Sequence, residues 1–133
     1  MIVVDTNLLA HLHVRGPRTA ASERVLLRDS VWLAPLLWRS EFRNVLSTSV
    51  RARLMDLADA VAAASAAERR MSGHEYGVPS RPVLELAHDS GCTAYDCEFV
   101  YLARHLDTKL VTTDRALLAA FPDTAVSPDA FVE

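Results

Sequence analysis

Short apolar runs alternate with longer stretches in which apolar residues recur every three or four positions. The short runs at 2–4, 31–34 and 110–112 predict buried strands, and weaker patterns predict further strands around 75–78 and at Val126. The longer stretches predict helices over 8–12, 19–29, 36–53, 54–70, 82–90, 93–106 and 115–121. Strands that alternate with helices predict an α/β protein with a short, mostly parallel central sheet flanked by helices and connected by right-handed crossovers.

The two helices predicted over 36–53 and 54–70 form a helical hairpin. The second is rich in alanine, which would allow close approach to another helix, either inside the fold or against a partner. Packing inside the fold is the favoured interpretation. The stripe predicted to pack consists of Leu54, Leu57, Ala58, Val61 and Ala62. A second core stripe, Tyr95, Phe99, Leu102 and Leu106, is predicted on the helix over 93–106.

Two carboxylates directly follow predicted strands and stand at the start of a helix. Asp5 follows the strand at 2–4, and Asp114 follows the strand at 110–112. Thr6 is a plausible N-cap that would fix the turn after Asp5. The carboxyl ends of parallel strands are where open α/β sheets place their ligands, although Asp5 alone could equally solvate the end of its strand.

Two further acids, Glu41 and Asp96, lie on predicted helices. Glu41 projects from the apolar side of its helix, which is costly unless the carboxylate is paired or holds a metal. Arg39 and Arg43 are candidate partners, but both lie two positions away, on other faces. Asp96 lies in the first turn of a helix that Thr93 is expected to cap, where ordinary charge complementation is a sufficient explanation. By contrast, Glu75, Glu85 and Asp89 are predicted to be solvated charges.

In a parallel sheet the four acids would gather at one edge. Two such charges ~4 Å apart repel by about 4 kcal/mol at an effective dielectric of 20, so the cluster needs protonation or a divalent cation. Oxygen ligands with few histidines favour Mg²⁺ or Mn²⁺. Such an ion can bind a phosphate and lower the pKa of a water molecule for in-line attack on a phosphodiester. The residues therefore favour metal-dependent phosphodiester chemistry.

Composition limits the remaining possibilities. A chain of 133 residues, half of them hydrophobic, is expected to form one domain over 1–133 with a substantial core. No apolar run reaches the roughly 18–20 residues of a membrane span, and no signal peptide is evident, so the cytoplasm is the expected address. Cys92 and Cys97 are expected to be free thiols there.

The net charge of −3 disfavours a generic nucleic-acid binder. The basic residues are nearly all arginine, which either provides phosphate ligands around an acidic pocket or reflects codon usage.

At these residues the chain resembles the PIN-domain ribonucleases, most closely the VapC-type toxins of prokaryotic toxin–antitoxin pairs. The resemblance covers the whole chain and rests on four motifs in order. They are V-V-D-T-N at 3–7, W-R-S-E-F-R-N-V-L at 38–46, T-A-Y-D-C at 93–97 with L-A-R at 102–104, and L-V-T-T-D at 110–114.

The resemblance implies a three-layer PIN-like fold and cleavage of RNA that depends on Mg²⁺ or Mn²⁺. It implies that Asp5, Glu41, Asp96 and Asp114 bind the metal, with Asn7 and Thr112 as polar supports. It also implies a homodimer and inhibition by a cognate antitoxin, whose peptide would lie against the helical hairpin at 36–70 and often presents an arginine to the acids.

Two other functions stay open at this stage. One is an aspartyl phosphoacceptor module, but Lys109 opens its strand instead of closing it, and Asp96 is predicted to be helical. The other is a non-catalytic PIN-like binding module. Such modules usually lack one or more of the acids, and all four are present here.

Overall fold

The computed structural model describes residues 1–133 and has five strands and eight helices. The strands are β1 (Ile2–Val4), β2 (Trp32–Pro35), β3 (Glu75–Tyr76), β4 (Leu110–Val111) and β5 (Ala125–Val126). The helices are α1 (Thr6–His13), α2 (Thr19–Arg28), α3 (Trp38–Arg51), α4 (Leu57–Met71), α5 (Ser80–Ser90), α6 (Ala94–His105), α7 (Arg115–Ala120) and α8 (Pro128–Val132). Every predicted element is present, β1 with the predicted bounds and the others with shifted ends, and only α8 was not predicted.

The strands form one sheet in the order β3-β2-β1-β4-β5, and every neighbouring pair is parallel. In the central pair Val3 lies opposite Leu110 and Val4 opposite Val111. The sequence predicted a mostly parallel sheet, and the structure has a wholly parallel one.

The strand order reverses between β1 and β4. The chain runs outward from β1 through β2 to β3 and then returns past β1 to β4 and β5. Right-handed crossovers therefore place α1 to α4 on one face of the sheet and α5 to α7 on the other. In agreement, α1 packs against α2, α3 and α4, whereas α5 packs against α6 and α6 against β1, β2 and β4. The result is three layers, with the crevice at which α/β folds bind ligands at the carboxyl ends of β1 and β4.

The core is a single cluster of 28 buried hydrophobic residues. The three residues of β1 are buried on both faces of the sheet, as the continuous apolar run predicts. Trp32, Trp38 and Phe42 are the largest side chains that are almost fully enclosed. Trp38 and Phe42 pack against each other in the first turns of α3, the helix that carries Glu41.

The prediction for the apolar face of α4 was wrong. Its buried residues are Ala60, Ala63, Ala67 and Met71. The larger Leu54, Leu57 and Val61 are exposed, and Val61 keeps 58% of its surface. The physical reason is that α4 presents its alanines to α3, because small side chains let two helices approach closely. The larger apolar side chains are thereby turned outward.

Tyr95 was also placed wrongly in the core stripe of α6. It is 63% exposed, whereas Phe99 and Leu102 are buried as predicted. Tyr95 lies in the first turn of α6, whereas Phe99 and Leu102 lie further along the helix.

The two cysteines carry free thiols, as predicted; Cys97 is buried and Cys92 half-buried. None of the helices combines the length and the apolar character that a membrane crossing requires.

Glu75 is not a solvated charge, contrary to the sequence-based prediction. Its side chain is only 14% exposed. Its Oε1 accepts hydrogen bonds from Trp38 Nε1 at 2.7 Å and Arg39 Nε at 2.5 Å, and Oε2 accepts one from an Arg39 Nη at 2.9 Å. These bonds tie β3 to the first turn of α3. They also engage Arg39, which was considered as a partner of Glu41.

We expect Glu75→Gln to lower the free energy of unfolding by about 2 kcal/mol, because a forked carboxylate–guanidinium pair becomes a neutral contact. Hydrogen bonding to Arg39 lowers the pKa of Glu75, so its contribution is present at neutral pH and is lost as pH falls through that lowered pKa. Urea unfolding at pH 7 measures the loss. Glu85→Gln, which removes an exposed carboxylate of α5, is the control and should change stability by under about 0.5 kcal/mol. Equal effects in the two variants would refute the assigned role of Glu75.

Candidate active site

The four acids that the sequence singled out line one cavity of about 220 Å³. They reach it from four different elements. Asp5 and Asp114 stand just beyond β1 and β4, Glu41 lies in the first turn of α3, and Asp96 lies in the first turn of α6. Three polar side chains, Thr6, Asn7 and Asn44, line the same cavity. The cavity therefore lies at the crevice where the strand order reverses.

Asp5 is the buried member of the group, with 7% of its surface exposed. The structure corrects the predicted cap, because Asp5 itself caps α1: its Oδ1 accepts a hydrogen bond from Leu8 N at 3.0 Å. Its Oδ2 accepts a hydrogen bond from the hydroxyl of Thr112. Burial raises the pKa of Asp5, the donors Thr112, Leu8 and Thr113 oppose that change, and the charge of Asp114 adds to it. Hydrogen bonds thus fix the position of the Asp5 carboxylate, while burial disfavours its ionised form.

Asp114 is placed by the same threonine. The backbone N–H of Asp114 donates to Thr112 Oγ1 at 3.0 Å, and Asp114 Oδ1 accepts from Leu117 N at 3.0 Å, which caps α7. Thr112 is fully buried and lies behind the cavity instead of lining it. Thr112 therefore links the Asp5 carboxylate to the backbone of Asp114, whereas Asn7 lies on the cavity wall.

Glu41 accepts a hydrogen bond from Thr6 Oγ1 at 2.8 Å. Neither Arg39 nor Arg43 pairs with it: Arg39 binds Glu75 and Glu68, and Arg43 lies near Glu68. Burial raises the pKa of Glu41, and the charges of Asp96, Asp5 and Glu98 add to that rise against the bond from Thr6. Glu41 is therefore not a structural glutamate paired with an arginine of its own helix.

Asp96 follows Thr93, whose hydroxyl accepts from the Asp96 N–H at 3.1 Å and caps α6 as predicted. Its side chain is half-buried and lines the cavity. Burial raises the pKa of Asp96, a hydrogen bond between its side chain and Thr93 opposes this, and the charge of Asp114 adds to it. Asp96 thus does more than complement a helix dipole, because it faces a second carboxylate.

Sequence reasoning missed the roles of two residues. Thr6 was taken for a cap, and it instead donates to Glu41 across the crevice. Asn44 lines the cavity three positions after Glu41, one helical turn away. That spacing was available in the sequence, whereas the contact of Thr6 depends on how α1 and α3 pack.

The donor set fits a hard divalent cation. Every polar group on the cavity wall offers oxygen or an amide, no histidine or cysteine is among them, and no lysine or arginine neutralises the carboxylates. The carboxylates surround the cavity without a closed cage, since no three acidic, histidine or cysteine side chains are grouped as ligands of one ion. The four carboxylates line one cavity, and the pKa values of Asp5, Glu41 and Asp96 are raised. A bound cation would balance their negative charges.

The fold and its acidic crevice define a class, the α/β proteins of PIN-like fold. The crystal structure of PAE2754 from Pyrobaculum aerophilum superposes with a TM-score of 0.72 and 26% identity, covering 98% of this chain and 85% of that one. The crystal structure of FitAcB from Neisseria gonorrhoeae superposes with a TM-score of 0.68 and 17% identity, covering 96% and 98%. The latter identity shows likeness of fold alone.

Within that class the chain is similar to Ribonuclease VapC3 of Pyrobaculum aerophilum. The two are 27% identical over 130 residues, which cover 91% of this chain and 95% of the relative. No family model matches the chain. The resemblance to VapC-type ribonucleases and the three-layer α/β fold are thus confirmed.

Proposed function

We propose that this chain is an endoribonuclease that depends on Mg²⁺ or Mn²⁺ and is the toxin of a toxin–antitoxin pair, with residues 1–133 acting as one PIN-like domain. The observation that carries the proposal is the cavity wall, on which Asp5, Glu41, Asp96 and Asp114 meet without a basic side chain. The similarity to Ribonuclease VapC3 supports ribonuclease chemistry for this wall.

The four carboxylates would hold the cation. When bound, it would supply positive charge for a phosphodiester and lower the pKa of a water molecule, which provides a nucleophile at neutral pH. The protein's own part is to position the carboxylates: Thr112 fixes Asp5 and Asp114, and Thr6 fixes Glu41. Asn7 and Asn44 offer amide groups to the substrate at the rim of the cavity.

The chemistry of the products tests this function. Purified chain is incubated with end-labelled single-stranded RNA and Mn²⁺, and the cleavage site is mapped. We expect cleavage to persist when the 2′-hydroxyl at that site is replaced by hydrogen, because water and not the 2′-oxygen attacks. Products that end in a 2′,3′-cyclic phosphate would refute the proposal. No cleavage of any RNA would favour a binding module, and phosphorylation by a small phosphodonor would favour a phosphoacceptor.

We also propose where the antitoxin binds. The hairpin of α3 and α4 bears an open apolar groove of about 390 Å³, formed largely by Leu46, Val50, Leu57, Val61 and Ala64. Arg43 and Arg51 flank the groove. An antitoxin segment with apolar side chains and an acidic flank fits this surface. When bound, the segment would cover the exposed leucine and valine residues of α4. The groove lies within the hairpin at 36–70 that the resemblance assigned to the antitoxin.

We expect Val61→Asp to weaken binding of the cognate antitoxin about a hundredfold, because a charge would enter an apolar contact. RNA cleavage without the antitoxin should not change, since Val61 is outside the acidic cavity. The matched control is Leu27→Asp, which places the same charge on the 87% exposed Leu27 of α2. Titration of the antitoxin against each variant by calorimetry gives the affinities. Undiminished affinity in Val61→Asp would place the antitoxin elsewhere.

The homodimer that the resemblance implies remains a proposal. Sedimentation equilibrium of the purified chain measures its mass in solution directly, and a monomeric mass at all concentrations would refute it.

A further inference from the structure

A second cavity, of about 470 Å³, lies next to the acidic one. Residues that are adjacent in the sequence line the two cavities. Asp114 lines the acidic cavity, and the residues on either side of it, Thr113 and Arg115, line the second. In the same way Asn7 lines the first cavity and Leu8 the second. The starts of α1 and α7 therefore separate two adjoining cavities.

The second cavity has the opposite charge. Arg18 and Arg115 line it, both are exposed, and neither forms an ion pair within the chain. Its one acid, Asp129, is already paired with Arg24 at 3.0 Å. Two unpaired guanidinium groups therefore face a cavity whose only carboxylate is neutralised, in a protein whose net charge is −3.

The wall of this cavity also offers a hydroxyl group. It belongs to the half-buried Thr113, whereas Ser22 is 2% exposed and His11 Nε2 is enclosed, so neither is presented to a ligand. Guanidinium groups bind phosphate oxygens in pairs of parallel hydrogen bonds, and hydroxyl groups are common additional donors. The cavity has the size of a small-molecule site, which is wide enough for part of a nucleotide.

We propose that Arg18 and Arg115 bind a backbone phosphate of the RNA strand beside the phosphodiester that the acidic cavity cleaves. This inference rests on the proposed ribonuclease function and extends it by assigning the path of the substrate. A strand crossing the start of α7 would place one phosphate at Asp114 and another at Arg115. Since phosphate contacts position a strand without reading its bases, this site sets the register of cleavage and affinity but not base preference.

RNA binding without cleavage tests the proposal. Affinity for a labelled single-stranded RNA is measured by fluorescence anisotropy at several salt concentrations, with EDTA present so that no cleavage occurs. We expect Arg18→Gln and Arg115→Gln each to weaken binding about tenfold. Each should also reduce the steepness of log K against log[salt] by about 0.7, the value for one phosphate contact to a single strand. The control Arg28→Gln removes an exposed, unpaired arginine at the far end of α2, outside both cavities, and should alter neither quantity.

A separate readout distinguishes failure of this inference from failure of the proposed function. If RNA is cleaved, KM should rise in both variants while kcat stays within about twofold. If RNA is not cleaved at all, the ribonuclease proposal fails, yet the salt dependence still reports on the cavity. Affinities and salt slopes equal to those of Arg28→Gln would overturn the inference. It would also be overturned if a free mononucleotide bound wild type but not these variants while RNA affinity stayed unchanged. Far-UV circular dichroism checks that each variant is folded.

Discussion

Replacing Asp96 by asparagine is expected to slow RNA cleavage about a thousandfold, which corresponds to a loss of about 4 kcal/mol in transition-state stabilisation. The substitution keeps the size of the side chain and leaves the Thr93 cap in place, because that cap uses the backbone N–H of residue 96. What it removes is one of the four carboxylates on the cavity wall. Initial rates on labelled RNA with saturating Mn²⁺ measure the effect.

The same variant should not be less stable than wild type. Asp96 is half-buried and its pKa is raised by burial and by Asp114, so its loss removes a group whose charge disfavours the folded state. We expect the metal-free variant to melt a few degrees higher, by the relation between stability and Tm in domains of this size. Asp89→Asn, on the exposed face of α5, is the matched control for both measurements. An Asp96→Asn variant that is folded and cleaves RNA normally would contradict the assigned site.

Binding of Mn²⁺ is expected to stabilise the folded chain strongly. A ligand that binds only the folded state stabilises it by about 2.7 kcal/mol when its concentration is 100 times Kd. The cation would also relieve the repulsion from neighbouring carboxylates, which adds to the rise that burial causes in the pKa values of Asp5, Glu41 and Asp96. Thermal unfolding with EDTA and with increasing Mn²⁺ measures the gain. We expect most of it to disappear in Glu41→Gln.

The pH dependence of this effect has a definite sign. The pKa of Glu41 is raised in the folded state, so the folded state holds its proton to higher pH than the unfolded state does. Stability from this group therefore falls as pH rises from the ordinary carboxyl range, about 4, through the raised pKa. In EDTA, the advantage of Glu41→Gln over wild type should grow from pH 4 to pH 7. The comparison cancels the titration of the groups that do not interact with Glu41. An advantage that shrinks with rising pH, or Mn²⁺ that fails to stabilise wild type, would count against the site.

The carboxyl ends of β1 and β4 could be predicted from the sequence for a simple reason. A strand buried on both faces needs a continuous apolar run, and the first carboxylate after it must lie at the end of the sheet. The positions of Asp5 and Asp114 follow from that rule. Glu41 followed from helical periodicity, which placed it on the apolar side of its helix. Asp96 followed from its position in the first turn of a helix whose start faces the same edge of the sheet.

Other features depended on packing that a single sequence does not specify. The buried face of α4 was misassigned because hydrophobicity favours Leu57 and Val61, whereas the distance between helices selects Ala60, Ala63 and Ala67. Glu75 looked solvated because its partners Trp38 and Arg39 are distant in sequence. Helix α8 was missed because it is short. The second cavity could not be predicted either, because Arg18 and Arg115 are distant in sequence and line the same cavity only in the folded chain.

We propose above all that Asp5, Glu41, Asp96 and Asp114 form one cation-dependent site that cuts RNA. The most direct test follows cleavage of a labelled RNA by a single preparation that is first treated with EDTA and then titrated with Mn²⁺. We predict that cleavage stops in EDTA and returns in full as free Mn²⁺ is restored. Cleavage that continues at an undiminished rate in excess EDTA would contradict the claim.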